Sequence, residues 1–196
     1  MTLPFALHPG LPSGQEGAAA DLYWQAFGPK LNRLLGPEAR ALRMLAAGIR
    51  HDHAIAALDP NGRLIGIAGF RDPDGGLTDQ GPALMRQTYG LWGATWRRLA
   101  FRALEQDVDN TRFLIDGISV ARASRGRGVG TALLAALCDA GYARGYREIR
   151  LDVLPENLRA RSLYEREGFA VVGTQRMGLA GHLIGVAQTL TMVKTL

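Results

Sequence analysis

A chain of 196 residues, 47% of them hydrophobic, is long enough for one domain with a substantial core and too apolar to be disordered. No run approaches the roughly 20 apolar residues of a spanning helix, Met1 to Leu11 lacks the basic start of a signal peptide, and Cys138, the single cysteine, cannot form an internal disulfide. The net charge of +5 comes mostly from scattered arginines, with Lys30 and Lys194 the only lysines, so the charge pattern argues against a nucleic-acid partner; no membrane partner and a cytoplasmic location are the default expectations.

Thr2 to Leu7 is predicted as a short first strand. Ser13 and Glu16 match a capping box, and Ala18, Leu22, Tyr23 and Phe27 recur behind it at helical spacing, which predicts a helix from about Gly14 to Phe27. Pro37 suits the start of a second helix, with Leu42, Leu45, Ala46 and Ile49 as its apolar stripe. His53 to Leu58 and Leu64 to Phe70 are predicted strands, joined as a hairpin by Asp59-Pro60-Asn61-Gly62-Arg63. Asp72 to Gly76 is then a loop and Leu84 to Gln106 a helix, whose apolar positions are Leu91, Trp92, Trp96, Leu99 and Leu104 beside Arg97, Arg98 and Arg102. That helix reads either as amphipathic, its aromatics filling the core, or as the wall of a binding pocket, because long connections often serve function.

Phe113 to Val120 returns to strand, about Gly130 to Gly145 is a helix with Leu133, Leu134, Leu137 and Cys138 on one stripe, and Glu148 to Leu154 is a strand. A helix from Asn157 to Glu167 and strands at Phe169 to Thr174 and Leu183 to Lys194 complete the order. With no repeat or long linker, residues 1–196 read as one mixed α/β domain with a longer helical connection at 72–104.

The stretch that carries chemistry joins the strand Ile115-Asp116-Gly117-Ile118-Ser119-Val120 to a helix through Ala121-Arg122-Ala123-Ser124-Arg125-Gly126-Arg127-Gly128-Val129-Gly130-Thr131. Glycines let backbone N–H groups converge on a ligand, and a helix start adds unpaired donors and partial positive charge, so the turn suits a pyrophosphate. A P-loop fails for want of Gly-Lys-Ser/Thr, and the dinucleotide fingerprint fails because Thr131 stands at its third glycine. The pattern Arg/Gln-x-x-Gly-x-Gly/Ala fits Arg125, Gly128 and Gly130. Cys138 on its apolar stripe reads as a core thiol, Asp152 as a structural strand residue, and His51 and His53 as a helix–strand junction.

With Leu151-Asp152-Val153, Asn157, Ala160, Leu163-Tyr164 and Gly168-Phe169 following, the chain resembles the GNAT superfamily of acyl-CoA-dependent N-acetyltransferases. The resemblance implies an α+β fold: a mixed, mostly antiparallel sheet of six or seven strands, helices on both faces, and a V-shaped cleft between the fourth and fifth strands. It implies acetyl-CoA as cosubstrate with no metal, and a small-molecule or peptide amine as acceptor, attacked directly at the thioester. Ile118, Ser119 and Val120 would hold the pantetheine arm and acetyl carbonyl through their main chain. Arg125, Gly126, Arg127, Gly128, Val129, Gly130 and Thr131 would hold the pyrophosphate, and Asn157 would touch the pantetheine arm or cap its helix. Tyr164 would be the general acid, also lining the cofactor, and Asp116 the candidate general base. A non-catalytic acyl-CoA-binding or regulatory module on the same scaffold, and a homodimer, are compatible with the same residues.

Overall fold

Asp59 sets the first long-range order in the chain. Its carboxylate accepts from the N–H groups of Asn61 and Arg63, 2.9 Å each, closing the turn between β2 (Ala54–Leu58) and β3 (Leu64–Arg71). The remaining strands are β1 (Ala6–Pro9), β4 (Phe113–Val120), β5 (Glu148–Val153), β6 (Ala170–Arg176) and β7 (Gln188–Thr195). In the computed structural model, which describes residues 4–78, 81–104, 111–178, 181 and 184–196 and the backbone alone at 102–104, they form one seven-stranded sheet of order β1-β2-β3-β4-β5-β7-β6. Every neighbouring pair is antiparallel except β4 and β5.

Helices cover both faces. On one lie α1 (Glu16–Leu35), α2 (Glu38–Gly48) and α3 (Pro82–Leu104), sharing a core that includes Leu34, Leu35, Met44, Leu45 and Ile67. On the other lie α4 (Val129–Ala143) and α5 (Leu158–Arg166), packed with Phe70, Phe113, Leu133, Leu137, Ile149 and Met192. Among the described residues no helix is long and apolar enough to cross a membrane.

Three expectations are corrected. First, α1 does not end at Phe27 but runs on to Leu35 through Gly28 and Pro29. A helical glycine and proline together cost about 4 kcal/mol relative to alanine, while burying Leu34 and Leu35, 1% and 0% exposed, returns roughly 3–6 kcal/mol. The helix also begins at Glu16 rather than inside a Ser13 capping box; Glu16 Oε1 accepts instead from the Gly14 N–H at 3.2 Å. Second, the first strand is Ala6–Pro9, with Thr2 and Leu3 outside the described residues.

Third, α3 is broken at Gly90, whose φ of 71° only glycine adopts readily, and its large apolar side chains do not fill the core. Met85, Ala94 and Ala100 are buried, whereas Leu91, Trp92, Trp96 and Leu99 are exposed. The helix is held instead by polar ties to the end of α1. The Tyr89 hydroxyl donates to the Leu35 carbonyl, Arg97 Nε donates to the Leu34 carbonyl, and the Arg97 guanidinium lies 3.9 Å from the Tyr89 ring centroid.

Candidate active site

The site begins with an irregularity in β4. Gly69 of β3 pairs with Gly117, but Phe70 pairs with Ile115, so Asp116 is an extra residue without a partner opposite it. Such a bulge bends its strand and sharpens the twist. β4 then pairs with β5 only at Phe113–Ile149 and Leu114–Arg150. From Ile115 and Leu151 onward the two strands part, and the β4 edge turned toward β5 presents main-chain N–H and C=O groups to the gap. Ile118 and Val120, the expected main-chain ligands, lie on this parted segment, their side chains packed with the α4-side core.

Ser119 faces the other way. It is buried, and its Oγ donates to the Leu22 carbonyl of α1 at 2.5 Å. Gly117 explains itself beside it: a Cβ there would sit 2.6 Å from Phe27 Cζ, so the α1 ring lies directly on the β4 backbone. This brings Tyr23 and Phe27, ring centroids 4.6 Å apart, to the parted strand. Burial, and after it the negative charge of Asp116, holds the Tyr23 phenol well above its usual pKa. One turn further along α1, burial lowers the Lys30 pKa, with Glu156 of the β5–α5 loop opposing that shift from within electrostatic reach.

Asp116 is tightly engaged. Oδ1 accepts from Arg71 Nε at 3.1 Å, and Oδ2 accepts from the Leu77 N–H at 2.8 Å. The carboxylate therefore pins the end of β3 and the loop after it to the bulge.

The glycine turn follows β4 without a gap. A short 3₁₀ turn at Arg122–Ser124 leads to Gly126 and Gly128, with φ of 79° and 81°, conformations that side-chain-bearing residues avoid. Gly128 precedes the first turn of α4 with no side-chain cap, so the amides of Val129, Gly130 and Thr131 open the helix with no intrahelical acceptor. Arg125 Nε donates back to the Val120 carbonyl at 3.0 Å, while Arg122 and Arg127 are exposed around the turn. A Cβ on Gly130 would lie 3.5 Å from Leu163 and 3.9 Å from Val120, so the helix start, the end of β4 and α5 converge there. Two positive-φ glycines, open helix amides and surrounding guanidinium groups make a cradle whose chemistry suits a pyrophosphate.

Across the gap, Asn157 caps α5, its Oδ1 accepting from the Ala160 N–H at 3.3 Å. Tyr164 is buried beside Phe169, ring centroids 6.0 Å apart, and burial pushes its phenol up to about 12. Of the expected site residues, the end of β4 and the turn meet α5 at Gly130, while Tyr164 is packed in the core on the α4 side and Asn157 caps α5. Tyr23, Phe27, Lys30 and Arg71 were not foreseen; the one hint in the chain was Gly117, a glycine inside an apolar strand, which often marks a close approach. Outside the cleft, Asp152 is structural, accepting from Thr191 Oγ1 at 2.6 Å and from Arg150. Cys138 packs against the α4-side core, where burial raises its thiol pKa.

The chain is similar to several known proteins. A streptothricin acetyltransferase of Streptomyces lavendulae is 32% identical over 106 residues, covering 52% of this chain and 56% of that protein, so the match spans little more than half of the curated relative. Among solved structures, a histone acetyltransferase HPA2 and related acetyltransferase from Corynebacterium glutamicum superposes with a TM-score of 0.65 at 21% identity, covering 97% and 96% of the two chains. A Bacillus anthracis acetyltransferase solved in complex with acetyl coenzyme A superposes with a TM-score of 0.50 at 17% identity, over 73% of this chain and 61% of that one. The model of the acetyltransferase (GNAT) family matches residues 18–169, from α1 through the whole parted-strand cleft to Phe169. On the strength of that match and of the fold, this chain belongs to the GNAT acetyltransferase family.

Proposed function

We propose that this protein transfers the acetyl group of acetyl-CoA to a primary amine by direct attack of the amine on the thioester. The observation that carries this reading is the parting of β4 from β5 after Leu114 and Arg150, with the glycine turn at its end. A strand edge with open main-chain groups, running into a helix start with open amides, suits a long ligand that is amide-rich at one end and anionic at the other.

In this reading Gly126 to Thr131 and the exposed Arg122 and Arg127 hold the pyrophosphate, and the main chain of Ile118 and Val120 holds the pantetheine arm. The cosubstrate supplies a thioester carbonyl; a backbone N–H at the end of β4 stabilises the negative charge that develops on its oxygen. Tyr164 serves the leaving sulfur. A phenol with its pKa raised to about 12 stays protonated at every working pH and is a weaker acid than the departing thiol, so it serves by donating a hydrogen bond to the sulfur as the C–S bond breaks. Asp116 takes the proton that the attacking amine loses, directly or through a water. Each of its oxygens accepts one hydrogen bond, from Arg71 or Leu77, and keeps a second lone pair for the incoming proton.

The acceptor enters, in this proposal, between α1 and the β5–α5 loop, past Tyr23, Phe27, Lys30 and Glu156. Because the curated relative is a streptothricin acetyltransferase, that antibiotic heads the acceptor panel, alongside polyamines, amino acids and a lysine peptide. The test is thiol release from acetyl-CoA on adding each amine, with mass spectrometry of the product. Calorimetric binding of acetyl-CoA with no acetylated product from any amine would support the non-catalytic module instead, and no binding at all would refute both.

A further inference from the structure

The second limb of α3 is built the wrong way round for an ordinary surface helix. Its small residues face inward, Ala94 and Ala100 being 1% and 7% exposed, and its large apolar residues face out: Trp92 86%, Leu99 70%, Leu91 63% and Trp96 44% exposed. At 3.6 residues per turn, positions 91, 95 and 99 and positions 92 and 96 form adjoining rows on one arc. The inner arc is committed elsewhere, since Arg97 reaches the Leu34 carbonyl and stacks on Tyr89 and Trp96. Nothing among the described residues of this chain covers the outer arc.

We infer that this arc is the interface of a two-fold homodimer in which the α3 helices of two copies cross antiparallel at Thr95. The pattern is self-complementary, as an isologous contact requires. Trp92 lies three residues before Thr95 and Leu99 four residues after it, on the same side of the helix. At about 1.5 Å per residue, an antiparallel crossing therefore brings Trp92 of each copy level with Leu99 of the other to within about 1.5 Å, twice. Thr95, exposed and small, stands at the crossing and lets the helices approach closely. Arg98 sits at the edge of the arc, where its charge stays in solvent and is screened from its symmetry mate.

The area is sufficient. Two tryptophans of about 150–250 Å² each and two leucines, discounted for their partial exposure, leave on the order of 500 Å² of apolar surface per copy. A pair of copies therefore buries about 1,000 Å² before any flanking surface, the threshold for a specific interface. α3 contains Arg86, Arg97, Arg98 and Arg102 and no acidic residue, which would also suit an anionic bilayer. The inward turn of Arg97 and the paired rows favour a second copy.

The experiment is sedimentation velocity on the full chain from about 1 to 100 μM, with three samples: wild type, Trp92→Glu and Leu99→Arg. Wild type is expected at twice the chain mass of 21.2 kDa, and each variant alone at that mass. Both variants should keep the wild-type acetyl-CoA affinity and melt cooperatively, because both side chains are exposed, but only the wild type's melting temperature should rise with protein concentration. Mixing the two variants should restore the dimer as a heterodimer. The carboxylate introduced at position 92 of one copy would then face the guanidinium introduced at position 99 of the other, across one of the two contacts. A wild type that is monomeric throughout, dimeric variants, or a mixture that stays monomeric would each overturn the proposal. Monomeric wild type that co-sediments with phosphatidylglycerol vesicles but not phosphatidylcholine ones would assign the arc to a membrane surface instead.

Discussion

Replacing Gly128 by alanine separates the conformational duty of this residue from its duty to the ligand. Its φ is 81°, and a Cβ built there meets nothing within 4 Å, so the methyl fits and the cost is backbone strain alone. A left-handed non-glycine residue costs roughly 1–2 kcal/mol, which lowers the melting temperature by about 2–8 °C for a chain of this size. Gly145, at the far end of α4, is the matched control: φ is 83° and a Cβ again meets nothing within 4 Å. The fifteen residues of α4 separate the two sites by about 22 Å at 1.5 Å per residue.

The two variants should therefore lose similar stability and differ in ligand binding. In Gly128→Ala the backbone relieves its strain by rotating toward negative φ, which turns an amide out of the cradle. Loss of one hydrogen bond to a charged group costs roughly 1.5–3 kcal/mol, so acetyl-CoA should bind about 10- to 150-fold more weakly. Gly145→Ala should bind it as wild type does. Calorimetry gives the dissociation constants, and melts with and without acetyl-CoA give an independent reading, because at a fixed excess a ligand stabilises the fold with the logarithm of its affinity. Equal affinities in the two variants would refute the assignment of the turn as the pyrophosphate cradle.

Three further outcomes are expected. Tyr164→Phe should lower kcat by roughly 10- to 1,000-fold with the acetyl-CoA Kd within about twofold; an unchanged kcat would reduce the phenol to packing. The raised pKa of Tyr164 also makes a stability prediction. The folded state keeps the proton up to about pH 12, while an unfolded tyrosine loses it near 10, so stability is lost as pH rises through that window, by at most about 2.7 kcal/mol. Urea melts at successive pH values from 8 to 11 should fall more steeply for wild type than for Tyr164→Phe, and parallel curves would contradict the burial argument. Asp116→Asn should cost about 1.5–3 kcal/mol by weakening the ties to Arg71 and Leu77. If Asp116 also takes the amine's proton, the loss of kcat should shrink as pH approaches the amine's own pKa, whereas a pH-independent loss would leave the residue a purely structural role.

The local geometry of the turn and helix starts that the proposal assigns to the cosubstrate was legible in the sequence because it depends on local features. Gly126 and Gly128 announce positive φ, the following amides announce a helix start, and Asn157 announces a cap; each signal lies within a few residues of what it specifies. The side of the cleft assigned in the proposal to the acceptor was not legible. Tyr23 and Phe27 lie on the expected helix, but nothing local says that this face meets β4, and Lys30 comes within reach of Glu156 only because α1 continues past Gly28 and Pro29. That continuation is decided by the burial of Leu34 and Leu35 in a core assembled from distant elements. Local propensity favours a stop at Gly-Pro, and tertiary burial overrides it. α3 misled for the opposite reason: its tryptophans and leucines have the spacing of a core stripe, and hydrophobic periodicity alone cannot say which side of a helix meets its own chain.

Asp116 shows how one extra residue couples the strand to the chemistry. In an uninterrupted strand, side chains alternate, and residues 113, 115, 117 and 119 would share a face. Instead Phe113 and Ile115 pack on the α4 side together with Ile118 and Val120, while Gly117 and Ser119 meet Phe27 and Leu22 of α1. The bulge at Asp116 is what shifts the alternation by one. Were Asp116 taken up instead as an ordinary paired residue, Ser119 would point its hydroxyl into the apolar core beneath α4, and Ile118 would collide with the helix that Gly117 now lets in. The same insertion bends β4 near the point where its pairing with β5 ends, which opens the main-chain edge that the proposed cosubstrate needs. Deleting Asp116 should therefore leave a regular strand: Gly69–Gly117 and Phe70–Ile115 are already consecutive pairs, so residues 117–120 keep their faces and the chain folds, while the bend and the ties to Arg71 and Leu77 are lost. A cooperative melt with acetyl-CoA affinity lost is the expected result; a folded deletion variant that binds acetyl-CoA as wild type does would mean that the bend at Asp116 is not what opens the edge of β4.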